Sequence, residues 1–317
     1  MMRQSKTGGC ASRRREPVRP QVDPTGLICD GRILVGLPVN FHVNRRCNAA
    51  CRFCFAPFPE GPDHLAVGDA LRVVGCLRRA GAEKITFAGG EPTLLPYLGA
   101  LLDYAKAIGF VTGLVTNGAR LGPVLEGHGH AIDWIALSID SGDEATQAAI
   151  GRGPCGHVSR GIRLAERCHA MGIRVKMNTV VTAMTWHEDM SAVVRAARPE
   201  RWKLFQVLRV VGQNDGRVEP LLITAQQFEA FVCRHRHLAG EGIRLVPEDN
   251  EAMIDSYVMV DPMGRFFGNT GGVLRTSRPI LDAGVEGALR EIGFDPMKLD
   301  SRGGRYDWAS VERRSAA

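Results

Sequence analysis

Residues 39–54 read VNFHVNRRCNAACRFC. The run opens as a strand in which Asn40, His42 and Asn44 share one face and Val39, Phe41 and Val43 the other, because successive strand side chains alternate. It ends in three cysteines, Cys47, Cys51 and Cys54, in the pattern C-x-x-x-C-x-x-C, with Phe53 and Phe55 flanking the last. A structural zinc site closes its tetrahedron with four protein ligands, so three thiolates leave one position vacant. A four-iron cluster normally takes four thiolates, and holding it by three frees one iron for a ligand that is not protein. A vacancy at a metal suggests chemistry.

Outward from this run, short β-rich stretches alternate with helical patterns between Ile33 and about Leu238. Candidate strands are ILVGLPVNFHV, KITFAG, FVTGLVTN, DWIALSID, IRVKMNTVV and WKLFQVLRV. Helical periodicity marks Val67 to Ala80, Leu95 to Ile108, Val158 to Met171 and His187 to Ala197. Strand then helix, repeated, predicts an α/β fold with a parallel sheet, either open or curled into a barrel. Fully buried parallel strands read as continuous apolar runs, and these do not. Lys84, Thr86 and Ala88 oppose Ile85 and Phe87; Ser138 and Asp140 oppose Leu137 and Ile139. Lys176 and Asn178 oppose Val175, Met177 and Thr179, and Arg201 and Lys203 oppose Trp202 and Leu204. With helices over the apolar faces, the polar faces would line a barrel interior that holds a polar ligand. The alternative is an antiparallel sheet with one wet face.

The chain has 317 residues, long enough for two domains or one large barrel. Its net charge of +6 invites a nucleic-acid reading. Residues 1–20, however, carry six basic side chains and one acid, which accounts for most of the excess. That leaves a basic, unstructured arm and argues against a broad nucleic-acid face. No long apolar segment follows the arm, so neither a secretory signal nor a membrane span is expected, and a cytoplasmic protein is. The six cysteines outside the motif are scattered singly, as reduced thiols are.

At this point the residues resemble the radical S-adenosylmethionine superfamily, whose cysteine loop looks like CNAACRFC and whose glycine-rich segment looks like FAGGEPTL. Beyond these motifs, NFHVNRRCN, IGRG, VKMN, RWKLFQ, LVPEDN, DSYVMVD, FDPMKL and RGGRY resemble the viperin-type branch. The resemblance implies a partial (β/α)6 TIM-type barrel over residues 31–240, after an arm at 1–30. It also implies a C-terminal extension, 241–317, closing over the substrate. The implied cofactors are a [4Fe-4S] cluster on Cys47, Cys51 and Cys54, and S-adenosylmethionine. Phe53, Gly89, Gly90, Glu91, Thr116, Asn117, Ser138 and Asn178 would contact the latter. Gly89 and Gly90 allow close backbone approach, and Glu91 could accept from an ammonium.

The implied reaction is dehydration of a ribonucleoside triphosphate to its 3′-deoxy-3′,4′-didehydro analogue, a chain-terminating nucleotide of antiviral defence. An external one-electron reductant would be required. Lys84, Lys176, Arg201 and Lys203 match triphosphate-contacting positions of the family, with Asn40, Arg302 and Arg305 as further substrate contacts and Tyr257 as a late hydrogen donor. The cations have the right sign for such a ligand, and no G-x-x-x-x-G-K-[ST] loop is present to do the work instead. In place of the vertebrate enzymes' amphipathic membrane helix stands only the basic arm, so a soluble monomer without membrane or nucleic-acid partners is expected. Ala88 replaces a serine and GNTGGVLRT a more basic loop, leaving cytidine, uridine and guanosine triphosphates all open. The rivals are a cofactor synthase or peptide-modifying enzyme of the same superfamily, and a zinc-stabilised binding module without catalysis.

Overall fold

The computed structural model describes residues 21–22, 28–29, 32–153 and 156–308. Most of the basic arm therefore lies outside the described residues. At its end, β1 (Gln21–Val22) and β2 (Ile28–Cys29) form a short antiparallel ladder, so this part of the arm is structured and not the free chain expected.

The strand and helix alternation is realised. In chain order come β3 (Pro38–His42), α1 (Val67–Arg79), β4 (Lys84–Ala88), α2 (Leu98–Ala107), β5 (Val111–Thr116) and α3 (Leu121–His128). Then follow β6 (Trp134–Ser138), α4 (Glu144–Ala149), α5 (His157–Ala170), β7 (Arg174–Val181), α6 (Ser191–Ala197), β8 (Arg201–Gln206) and α7 (Ala225–His235). The C-terminal part adds β9 (Arg244–Glu248), α8 (Asn250–Met253), β10 (Val258–Val260), β11 (Arg265–Gly268), β12 (Arg275–Pro279), α9 (Ile280–Leu289) and α10 (Pro296–Ser301).

These strands form one ten-stranded sheet in the order β12-β11-β10-β3-β4-β5-β6-β7-β8-β9. Every pair from β10 to β9 is parallel, which removes the antiparallel alternative, and β10, β11 and β12 make an antiparallel meander at one edge. The C-terminal residues thus extend the sheet at both ends: β9 continues it beyond β8, and β10 returns to pair with β3. The ends of the sheet do not meet, so the barrel is partial.

Some boundaries differ from the periodicity, each for a local reason. Ile33–Gly36 form a turn and not the start of a strand, with Gly36 at φ +68°. Pro96 holds Leu95 extended, so α2 begins at Leu98 after a short 3-10 turn at Pro92–Leu94. Asp189 Oδ1 accepts from the Ser191 amide, so α6 begins at Ser191 rather than near His187.

The apolar core lies between sheet and helices. Val73, Val74 and Leu77 of α1 join Val39, Phe41, Ile85 and Phe87 in one cluster, all within 1% of full burial. Each such side chain contributes about 1.5–3 kcal/mol relative to exposure. The other face of β3 and β4, with β6, β7 and β8, lines a cavity of about 560 Å³ shared by Asn40, Thr86, Ala136, Lys176 and Lys203.

Candidate active site

The cysteine loop is fixed at the C-terminal ends of β3 and β4 by backbone contacts on two sides. On one, the Gly90 amide donates to the Asn44 carbonyl (2.7 Å) and the Glu91 amide to the Arg46 carbonyl (2.8 Å). A Cβ at Gly90 would collide with the Arg45 and Arg46 carbonyls, so the glycine pair makes room first for the cysteine loop's own backbone. On the other side, the Ala50 amide donates to the Gly151 carbonyl (2.9 Å) and Arg52 to the Ile150 carbonyl (3.2 Å). Gly151 has φ +93°, and a Cβ there would strike the Ala50 carbonyl.

Cys47, Cys51 and Cys54 all line the cavity, and no other cysteine among the described residues does. Burial pushes the Cys51 thiol up to about 12 and raises those of Cys47 and Cys54. Thiols in such surroundings ionise only against nearby positive charge, which iron supplies on ligation. The Arg152 guanidinium acts in the same sense; it pairs with the buried Asp140 and lies 5.3 Å from the Phe53 ring centre. The donor set fits a cluster held by three thiolates.

Glu91 lines the cavity with Gly89 and Gly90 and is also tied to its neighbours. Its carboxylate is 1% exposed and accepts from the Thr93 amide (3.2 Å), the Thr93 hydroxyl (2.6 Å), the Thr116 hydroxyl (2.6 Å) and the Asn117 amide (2.8 Å). It ties the end of β4 to the end of β5. Thr116, which donates to Glu91, and Asn117 both line the cavity, and the Asn117 side-chain amide donates to Asn48 Oδ1 of the cysteine loop (2.8 Å). Ser138 and Asn178, neighbours across β6 and β7, line the cavity beyond this clamp. Asn178 Oδ1 is buried without a hydrogen-bond partner, a feature that a bound polar ligand would relieve.

The opposite end of the cavity is cationic. Lys84, Lys176, Arg201, Lys203 and Arg302 line it against a single carboxylate, Glu248. Glu248 is fully buried; burial opposes its ionisation, but Lys203 (2.6 Å) and Arg302 (3.3 Å) hold its carboxyl below the usual range. Tyr257 donates to Glu248, accepts from Lys203 (2.7 Å) and lies under the Arg302 guanidinium at 3.6 Å. Lys84, Lys176 and Arg201 form no ion pair among the described residues. Burial consequently lowers Lys84 to about 7 and Lys176 well below its ordinary value, with the neighbouring cations adding to the effect.

Of the other expected contacts, Asn40 lines the cavity, whereas Arg305 does not. Arg305 stands half-exposed and pairs with Asp300 at 2.7 Å, because the tail turns its side chain outward. Four residues of the site escaped the sequence reading: Trp134, Glu248, Arg152 and Tyr306. Trp134 shares its strand face with Ser138, so alternation could have found it. His42 also faces the cavity, ringed by Phe55, Phe58 and Phe267 at 6.1, 5.5 and 5.1 Å, with Nδ1 unpartnered; burial lowers it to about 4.

Comparison with known proteins agrees with this geometry. The radical SAM superfamily profile matches residues 41–197. Streptococcus suis SuiB bound to S-adenosylmethionine superposes with a TM-score of 0.60 at 16% identity, over 74% of this chain and 60% of that one, which bears out the partial barrel. The cofactors of that superfamily, a [4Fe-4S] cluster and S-adenosylmethionine, are those of this chain. Two relatives carry the name S-adenosylmethionine-dependent nucleotide dehydratase. One, from Lacinutrix mariniflava, is 41% identical over 85% of this chain and 58% of its own length. The other, from Flammeovirga pacifica, is 42% identical over 85% of this chain and 95% of its own. The chain belongs to the family of S-adenosylmethionine-dependent nucleotide dehydratases, the viperin-type radical enzymes. Among the described residues, no helix is long and apolar enough to cross a membrane.

Proposed function

We propose that the chain dehydrates a ribonucleoside triphosphate at its 3′ carbon by hydrogen abstraction from C4′. The observation that carries this reading is the group of buried, carboxylate-free cations, Lys84, Lys176 and Arg201, in the same cavity as the three thiols. Such a group is costly without an anion, and a triphosphate brings up to four charges of opposite sign. When bound, the cluster and S-adenosylmethionine supply a carbon radical that takes the ribose hydrogen.

The chain's own residues supply the rest. Lys84, Lys176 and Arg201 anchor the phosphates and so set how far the ribose stands from the cysteine loop. Asn178 and Ser138 offer an amide and a hydroxyl on the wall between the two ends. Tyr257 gives one hydrogen-atom equivalent as the 3′ hydroxyl departs, so the hydroxyl leaves as water and the external reductant restores the phenol. Glu248, kept ionised by Lys203 and Arg302, accepts the phenol's hydrogen bond and fixes its orientation beforehand. The tail from Arg302 to Trp308 limits the access of water to the radical. The protein acts as a soluble cytoplasmic monomer and requires neither nucleic acid nor membrane.

The test is an anaerobic assay of the reconstituted protein with dithionite and S-adenosylmethionine, offering each ribonucleoside triphosphate separately. One nucleotide should stimulate 5′-deoxyadenosine release and itself lose the mass of water. Cofactor cleavage with every nucleotide unchanged would refute the reading and favour another reaction of the superfamily.

A further inference from the structure

At the N-terminal ends of the strands, opposite the cysteine loop, the cavity is lined by a side chain of the tail, Tyr306. Tyr306 meets Lys84, the first residue of β4, at 2.8 Å from the ammonium to the phenol oxygen, and also accepts from Lys176. The Arg201 guanidinium, from the first residue of β8, lies 3.9 Å from the Tyr306 ring centre. Trp134, the first residue of β6, packs edge-on at 5.8 Å, and Trp308 does so at 5.3 Å while its carbonyl accepts from the Trp134 indole at 3.2 Å. The Gly303 carbonyl accepts from Arg201 (3.2 Å), and Gly303 at φ +71° makes the turn that brings the tail back under the sheet. The ring is thus held from several sides, in contact with the three cations that have no carboxylate partner.

We infer that Tyr306 is the floor of the phosphate site: its hydroxyl donates to the terminal phosphoryl group and its ring limits the length of polyphosphate the barrel admits. The inference rests on the nucleotide reading above. Its warrant is a count of donors and acceptors. A polyanion holds Lys84 and Lys176 in their charged forms, which can only donate. The phenol oxygen then accepts from both, using both lone pairs, and its own hydrogen has no acceptor among the described residues. Burial raises the phenol to about 12, so that hydrogen stays in place at neutral pH. The groups nearest to it, the amines of Lys84 and Lys176 and the guanidinium of Arg201, are donors as well. Only an anion bound beside them, within reach of the phenol hydrogen, satisfies every member. Because the ring stands among the first residues of β4, β6 and β8, the last phosphoryl group of a triphosphate comes to rest on it, and a shorter chain does not reach.

The experiment compares kcat and KM for the nucleoside triphosphate and the corresponding diphosphate of the accepted base, in the unaltered protein and in Tyr306→Phe, which keeps the ring and its packing. The variant should raise KM for the triphosphate about tenfold, the scale of a hydrogen bond to a charged group, with kcat little changed. KM for the diphosphate should stay where it was, so the preference for triphosphate falls by the same factor. An unchanged preference, whatever happens to either KM alone, overturns the inference. The unaltered protein gives a second test that needs no substitution: a nucleoside tetraphosphate should be rejected, and turnover at the triphosphate's rate overturns the floor. If the unaltered protein dehydrates no nucleoside triphosphate at all, the nucleotide reading itself has failed, and Tyr306 falls with it.

Discussion

Glu248 shows what one residue can decide in this cavity. Its carboxylate is the common partner of Lys203, Arg302 and Tyr257, and it is fully buried. Glu248→Ala should lower the protein's stability by about 3–5 kcal/mol, because two buried cations lose their counter-charge. Anaerobic denaturant titration would show this as a lower midpoint, and an unmoved midpoint would mean the cluster of charges is already hydrated. Tyr257→Phe probes the chemistry instead: nucleotide should still bind and stimulate cofactor cleavage, while product falls to a small fraction of the unaltered yield. Full product yield by mass analysis would remove Tyr257 from the reaction. At this scale the sequence was uneven as a guide. Lys84, Lys176, Arg201 and Lys203 were legible because alternation alone places them on the inner face, and all four line the cavity. Glu91 was nominated from its motif alone, and its ties to Thr93, Thr116 and Asn117 were not legible there because they depend on two strand ends meeting in space. Arg305 was carried over with its motif, but a one-residue step along an irregular tail decides which side chain points in, and Tyr306 is the one that does.

Among elements, the cysteine loop depends on its two glycine docks. Gly151→Ala would need both a strained positive φ and displacement of the Ala50 carbonyl. The variant should keep its far-ultraviolet circular dichroism yet retain well under half of the reconstituted iron and sulfide, since the loop alone loses its seat. Full iron content at the unaltered absorbance near 400 nm would show that the dock is dispensable. The order of β3 to β8 and their inner faces could be read from the sequence, since a period of two with helices between survives in the residues themselves. Two things could not. The return of β10 to pair with β3 is a tertiary fact about strands distant in sequence. The helix α3 carries Gly122, Pro123 and Gly127, so local propensity argues against it and packing decides.

For the whole molecule, the cavity joins two ends of opposite need: thiols that want cations at the C-terminal ends of the strands, and cations that want anions at the other. Lys84 at about 7 couples the second end to pH. In the free protein this amine is largely neutral above that value, whereas a bound phosphate raises it. Binding above pH 7 therefore takes up a proton, and affinity should fall as pH rises, by up to about tenfold per unit. Calorimetric titration of the nucleotide between pH 6.5 and 8.5 in buffers of different ionisation enthalpy would reveal the uptake, and a flat affinity would mean that Lys84 is already charged.

The central claim is tested most directly with the accepted nucleotide carrying deuterium at C4′, in one anaerobic turnover with S-adenosylmethionine and dithionite, reading both products by mass. The account predicts 5′-deoxyadenosine bearing the deuterium and a nucleotide that has lost the deuterium from C4′ and the hydroxyl from C3′. Unlabelled 5′-deoxyadenosine beside an intact, fully deuterated triphosphate would contradict it.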